Sequence, residues 1–343
     1  MISLAVWNVR GLNRPLKQNE VRQVVKNNKL SLCAILESHV DMDNLRKVCN
    51  VVFRRWDWIS NGSCCNKGAR IILGWDPVEV DVMVLAQSAQ VLHVQINCKD
   101  NKRIFFCSLV YAANYYVHRQ ELWQNLRVHK AFIHDKPWVI MGDFNSALNL
   151  EDRSIGSSSV SPGMRDFNNC VKDIEVFDIK RTGFQYTWTQ KPKKGVGLLK
   201  KIDRIMGNVP FVSSFPQSVA EFKPYGVSDL CPCVLKLFSA EKPKPRPFKF
   251  ANFLVHKQGF LDIVMAKWNI NVDGVHQFRV VKKLSLMKSS LRALLYKQGN
   301  LHEKVVNARG KLEDIQRAID KDPVNESLRS QEASVLRVMR RGS

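Results

Sequence analysis

Trp138-Val-Ile-Met-Gly-Asp-Phe-Asn145 is an apolar run that closes on a carboxylate and an amide, and its reading decides the fold. Its density of Val, Ile and aromatic residues marks a strand over Trp138–Phe144. Asp143 stands near the end of that strand, and Asn145 follows two residues on. Residues two apart in extended chain face the same way, so this pair can address one group. The same pattern recurs along the chain. Asn8 closes Ser3-Leu-Ala-Val-Trp, Glu37 follows Leu32-Cys-Ala-Ile-Leu, and Tyr111 follows Phe105-Phe-Cys-Ser-Leu-Val. Asp203 follows Lys201-Ile, and Asp229 follows Val227-Ser. One polar residue at a strand end usually caps a turn. Seven such positions form a set that can converge at one edge of a layered sheet.

The intervening sequence supports that architecture. Ser3–Val9, Leu30–Leu36, Ala69–Trp75, Val80–Leu85 and Ile104–Ala112 also read as strands. Gln18–Asn28 and His118–Phe132 carry apolar residues at helical spacing. Ser161-Pro162 offers a cap and a first-turn proline for a helix reaching about Asp173. Strands outnumber helices and short turns join them. The expected fold is therefore a four-layer α/β sandwich: two packed, largely antiparallel sheets flanked by helices. It occupies residues 1–235. A stiff Pro/Lys-rich linker follows at 236–250, around Lys242-Pro-Lys-Pro-Arg-Pro247. A basic helical extension fills 251–343. Within it Leu301, Val305, Ala308, Leu312, Ile315 and Ile319 form an apolar stripe, read as one amphipathic helix packing on a neighbour. Asp322-Pro323 interrupts it before another helical stretch.

The 343 residues carry a net charge of +22, which points to a polyanionic partner, DNA first and RNA second. Roughly half of that charge lies from the linker onward. No apolar run reaches the ~18 residues needed to span a bilayer, so no membrane partner is expected. The N-terminus begins as a strand and not as a signal peptide. Nine scattered cysteines, an odd number without framework spacing, favour a reducing nuclear or cytoplasmic compartment over secretion.

The residue types at the strand ends suit phosphoester chemistry. Mg²⁺, with Mn²⁺ as the alternative, prefers carboxylate and amide oxygens, which Asn8, Glu37 and Asp229 can supply. Asp143, with Asn145 beside it, suits placing and deprotonating a water. Tyr or Asn side chains and a metal can stabilise developing charge.

Together, Trp7-Asn-Val-Arg-Gly-Leu-Asn13, Ile35-Leu-Glu-Ser38, Val110-Tyr-Ala112, Gly142-Asp-Phe-Asn145, Tyr186-Thr-Trp188, Ile202-Asp-Arg204 and Ser228-Asp229 resemble the motif series of the endonuclease/exonuclease/phosphatase superfamily. This is the deoxyribonuclease I-like group that includes apurinic endonucleases. The closest flavour is the endonuclease domain of plant LINE-type retrotransposon polyproteins. Asn149-Leu-Glu-Asp-Arg153 and Arg246-Pro-Phe-Lys-Phe250 share that likeness. The resemblance implies a Mg²⁺-dependent endonuclease that nicks one DNA strand and leaves a 3′ hydroxyl. It implies that Glu37 and Asn8 hold the metal, with Asp229 beside it. Asp143 would orient the water, Asn145 would bind the scissile phosphate, and Tyr111 and Thr187 would line its site. Asp203 would orient a catalytic histidine. Lys191, Lys193, Lys194, Lys200 and Lys201 read either as a solvated hairpin tip or as a basic finger on DNA, like the family's target-reading loop.

One departure is chemical. The histidine expected after Asp229 is Leu230, which can neither donate a proton nor meet the Asp203 carboxylate. Losing an acid/base group costs ~10²- to 10⁴-fold. This copy is therefore expected to be impaired, and a nucleic-acid-binding pseudoenzyme is the rival reading. A phosphatase for small phosphoesters is a third. His39 and His93 are the candidate substitutes, with a solvated surface histidine the commoner state of such residues. The second departure is that no reverse-transcriptase carboxylate pair follows, so the chain reads as a fragment of an element.

Overall fold

A computed structural model describes residues 2–155, 159–190, 197–226, 228–237, 255, 258–272, 276–297 and 301–341. Lys191, Lys193, Lys194 and most of the expected linker lie outside these residues. Two compact units form: 1–240 together with 311–343, and 241–310.

The first unit opens with β1 (Ile2–Asn8), α1 (Pro15–Asn27), β2 (Leu32–Val40), α2 (Met42–Phe53), β3 (Asp57–Ser60) and β4 (Ala69–Trp75). Next come β5 (Val80–Gln87), β6 (Val91–Cys98), β7 (Ile104–Tyr111), α3 (Arg119–Ile133), β8 (Trp138–Asp143) and α4 (Pro162–Asp173). Short strands follow: β9 (Phe177–Asp178), β10 (Arg181–Gly183), β11 (Trp188–Thr189), β12 (Leu199–Lys200) and β13 (Asp203–Gly207). Then come α5 (Val209–Ser214), β14 (Val219–Phe222) and β15 (Cys233–Leu237). The remaining helices are α6 (Phe260–Trp268), α7 (His276–Lys297), α8 (Leu301–Lys321) and α9 (Glu326–Arg341).

The strands build a seven-stranded sheet, β10-β14-β15-β1-β2-β4-β3, and a six-stranded sheet, β5-β6-β7-β8-β13-β9, with a separate β11-β12 pair. Parallel pairing occurs at β1–β2, β7–β8 and β10–β14; the other pairs are antiparallel. The period-2 alternation of a strand explains the layers. In β1, Leu4 and Val6 enter the core between the sheets, while Ala5 and Trp7 face the layer of α1 and α2. The outer face of the second sheet packs Phe106, Trp138 and Ile140 against Trp123 of α3 and Phe167 of α4. The result is the expected α/β sandwich.

Local signals behave as their chemistry dictates. Ser161 Oγ accepts the Met164 amide at 3.4 Å and Pro162 starts α4. The helix α2 was absent from the expected elements. It is amphipathic and buries Leu45, Val48, Cys49, Val52 and Phe53. Along the C-terminal stripe, Leu312 and Ile319 of α8 are buried, and Pro323 falls between α8 and α9. The side chains of Leu301, Val305 and Ala308 lie outside the described residues. In the second unit, α6 and α7 share an apolar cluster of Phe260, Met287, Leu291 and Leu294.

Candidate active site

Strand register brings the polar strand ends together. Tyr111 pairs with Asp143 across β7–β8, and Asp143 pairs with Asp203 across β8–β13. Asn8 pairs with Leu36 across β1–β2, which places Glu37 next to it. A bulge between Leu36 and Val40 then breaks the β2–β4 ladder. Glu37 and His39 sit within it at φ 52° and 48°. Arg10 and Asn145 share this left-handed conformation, each at φ 48°. Non-glycine residues avoid that region, and such strain collects where a side chain must be aimed against local preference.

Asn8 joins the two sheets. Its Nδ2 donates to Glu37 Oε2 and to Asp143 Oδ2, each at 2.9 Å, and its Oδ1 accepts the Arg10 amide at 3.0 Å. The Tyr111 hydroxyl is hydrogen-bonded to Glu37, and burial followed by the Glu37 and Asp143 charges raises its pKa. Asp143 Oδ1 accepts the Asn145 amide at 2.8 Å. Burial pushes the Asp143 carboxyl up to about 6, against the lowering pull of the bonds from Asn145 and Asn8. Asn145 donates its Nδ2 to Ala112 O at 2.6 Å.

Arg10 is a site residue that sequence reasoning missed. Its guanidinium pairs with Asp229 through Nη1, and its Nε lies 3.9 Å from Glu37 Oε2. The carboxylates assigned to a metal are thus bridged by a cation of the chain. The signal was available: Arg10 is two residues beyond Asn8, the same spacing that links Asp143 to Asn145. Arg119 was also missed, and no local pattern marks it. It is buried and donates Nη1 to the carbonyls of Asn145 (2.8 Å), Ala113 (3.1 Å) and Asn114 (3.2 Å).

Asp203 lies at the core of the site, 1% exposed, and its Oδ2 has no hydrogen-bond partner among the described residues. Burial, then the charge of Asp143, raises its pKa well above the usual carboxylate range. Thr187 is fully buried beneath it. Thr187 Oγ1 accepts the amides of Ile202 (3.0 Å) and Asp203 (2.9 Å) and donates to the Asp203 carboxyl. Leu230 is 1% exposed; its carbonyl accepts Trp7 Nε1 at 2.9 Å, and it bridges to Trp188.

Of the expected lysine finger, Lys200 and Lys201 fall among the described residues. Lys200 Nζ stands 5.2 Å over the Trp188 ring and remains half-buried. Lys201 is a correction. It is 5% exposed and donates to Asp178 Oδ2 at 2.7 Å. Arg204, fully buried, pairs with the same Asp178 and with Asp152. A cation committed to an interior ion cluster is not available to DNA phosphates. Asp152 also closes a capping box with Asn149, so this family-like motif folds a turn. His39 Nε2 lies 3.4 Å from Glu37 Oε1 at the exposed mouth of the site. His93, expected at the surface if idle, is buried between Ser108 Oγ and Asn125 Oδ1, each 2.7 Å away.

The sandwich matches solved structures. The endonuclease domain of TRAS1, a telomere-specific non-LTR retrotransposon, superposes with a TM-score of 0.55 at 10% identity, over 70% of this chain and 100% of that one. An AP endonuclease from Leishmania major gives 0.54 at 14% identity, over 68% and 86%. One from Archaeoglobus fulgidus gives 0.51 at 16%, over 69% and 99%. The fold is the one these endonuclease structures share. A likeness in sequence is also found. The Xenopus laevis "Transposon TX1 uncharacterized 149 kDa protein" is 22% identical over 286 residues. Those residues are 78% of this chain and 20% of that relative, so the chain spans about a fifth of its length. No protein-family model matches the chain.

Proposed function

We propose that the chain is the endonuclease domain of a retrotransposon-derived protein, a divalent-metal-dependent phosphodiesterase acting on DNA. The observation that carries this reading is the convergence of Asn8, Glu37, Tyr111, Asp143 and Asp203 at adjacent strand ends, with Asp229 tied to them through Arg10. The likeness to the TRAS1 endonuclease and to the transposon protein supports the same class. The net charge of +22 supports a polyanionic substrate.

The donor set fits Mg²⁺ or Mn²⁺, since Glu37, Asp229 and the amide oxygen of Asn8 are all hard oxygen ligands. Their two carboxylates are close enough to share one guanidinium. A bound dication would supply charge stabilisation at the phosphoryl oxygens and leaving group. The chain's own groups do the rest. Asp143, its carboxyl pushed up to about 6 by burial, would take a proton from a water held beside Asn145. Asn8 holds Glu37 and Asp143 at fixed separation. Arg10, beside Glu37 and Asp229, would meet a substrate phosphate through charge-assisted hydrogen bonds.

A second reading has its own observation. Asp203 Oδ2 is buried and without a partner among the described residues, and position 230 holds a buried leucine. Turnover is therefore impaired, in the limit to a DNA-binding pseudoenzyme. The test is nicking of supercoiled plasmid with Mg²⁺, beside calorimetry with Mn²⁺. Asp143→Ala should remove nicking, and Glu37→Ala should remove Mn²⁺ uptake. Metal binding unchanged by Glu37→Ala would take Glu37 out of the site. Hydrolysis of a small phosphomonoester without nicking would move the protein to the phosphatases.

A further inference from the structure

The TRAS1 domain is matched in full by 70% of this chain, so the remainder has no counterpart there. Part of the C-terminal helical extension touches the candidate site. Residues 311–343 belong to the same compact unit as the sandwich. Three side chains of α8 and α9 make the contact, and each grips backbone.

Asp320 of α8 accepts the amide of Gln185 at 2.9 Å and that of Tyr186 at 3.0 Å. These amides immediately precede Thr187, whose hydroxyl supports Asp203. Gln316, fully buried, reads Gly226 from both sides: Oε1 accepts its amide at 3.2 Å and Nε2 donates to its carbonyl at 3.4 Å. Its Nε2 also donates to Glu332 Oε1 of α9 at 3.0 Å. Gly226 opens the loop that carries Asp229 and Leu230. Arg329 of α9 donates Nη1 to Thr189 Oγ1 at 2.7 Å and Nη2 to Gly197 O at 3.3 Å, across the base of the β11–β12 hairpin. A Cβ at Gly197 would meet the Arg329 Cζ at 3.0 Å, so the two chains are in close approach. Between the gripped loops, Tyr225 OH donates to Tyr186 O at 2.7 Å.

We infer that α8 from residue 311 and α9 are a clamp of the active site, with Asp320, Gln316 and Arg329 as positioning residues for the loops that carry Thr187 and Asp229. Irregular loops carry unpaired backbone groups, and without partners these must seek water. Neither loop has a sheet ladder along its whole length, so the helices provide the missing partners. The clamp also braces the β11–β12 pair. For its functional consequence the inference rests on the proposed metal site, because Asp229 is one of its ligands.

The experiment uses the full chain and three variants, Asp320→Ala, Gln316→Ala and Arg329→Gln. Arg329 is only partly buried, so its variant folds even if removal of a buried polar group does not. Amide hydrogen exchange is read segment by segment, and Mn²⁺ affinity by calorimetry. Each lost hydrogen bond should speed exchange by about tenfold in its own loop. The expected loops are 184–190 for Asp320→Ala, 225–231 for Gln316→Ala and 188–200 for Arg329→Gln, while α3 and α4 stay protected. Mn²⁺ binding should weaken by about fivefold or more in Gln316→Ala. Asp320→Asn keeps one acceptor oxygen and should give intermediate protection. Unchanged exchange in all three loops overturns the clamp, as does an equal rise over every element. If loop exchange rises but the parent chain takes up no Mn²⁺, the clamp stands and the metal reading fails. If Mn²⁺ binds the parent and Gln316→Ala equally, the clamp does not position Asp229.

Discussion

Restoring an imidazole at position 230 is the perturbation that best separates the two functional readings. Leu230 is 1% exposed, so replacing it removes about 1.5–3 kcal/mol of apolar burial. A buried imidazole without a partner adds about 1–3 kcal/mol of desolvation cost. Asp203 is the candidate partner, because its Oδ2 is buried and has none among the described residues. A hydrogen bond to a charged group returns about 1.5–3 kcal/mol, which offsets much of that loss. Leu230→His should therefore fold with a modest fall in Tm if the ring meets Asp203, and with a fall of several kcal/mol if it does not. In the first case plasmid nicking should rise by about 10²-fold, the low end for one positioned acid/base group and equivalent to about 2.7 kcal/mol of barrier. The pairing has a pH signature. An imidazole next to a carboxylate has its pKa raised above the unfolded value of about 6.5. Its stabilisation is complete below that pH and is lost as pH rises through the raised value. Adding Asp203→Ala to Leu230→His should remove both the nicking gain and this pH dependence. A gain that survives Asp203→Ala refutes the pairing. Efficient, Asp143-dependent nicking by the unaltered chain refutes the reading of this copy as impaired.

Three further outcomes follow from the same geometry. Asp203→Asn should stabilise the metal-free protein at pH 7 by about 1–3 kcal/mol, because the raised pKa of Asp203 makes its folded-state ionisation unfavourable. That penalty is absent near pH 3 and grows as pH rises above the unfolded carboxyl pKa, so denaturation at the two pH values checks the sign. Arg10→Met frees Glu37 and Asp229 from their shared cation and should tighten Mn²⁺ binding about tenfold while weakening DNA binding; calorimetry and a salt-dependent DNA titration read the two effects. His93 and His129, stacked with centroids 3.8 Å apart, are held at about 4 and about 3 by burial, with the His93 charge further lowering His129. Their contribution is present above pH 6.5 and lost as pH falls toward those values, so His129→Phe should reduce the loss of stability between pH 6.5 and 4 by about 1 kcal/mol or more.

The sequence by itself determined the layers and the chemistry of their edges. Strands such as Ala69–Trp75 are written in side-chain alternation and β-branched density, and Ser161-Pro162 marks a helix start by local capping. Asn8, Glu37, Tyr111 and Asp143 were legible because each follows an apolar run, a pattern that needs no partner to be seen, whereas Asp203 opens β13 after Lys201-Ile202. What required the tertiary structure was everything set by pairing between distant segments. Register alone places Asp203 opposite Asp143 and aligns Tyr111 with both. Lys201 read as a surface cation within a lysine-rich stretch; only the approach of Asp178 and Asp152 around Arg204 draws it inside. Arg119 and Asp320 act on backbone groups of remote loops, and backbone carbonyls and amides are the same at every position, so no residue pattern marks them as targets. The amphipathic stripe of α8 announced a packing face but not its partner. That partner is settled by Gln316 and Asp320, which grip the loops bearing the candidate site.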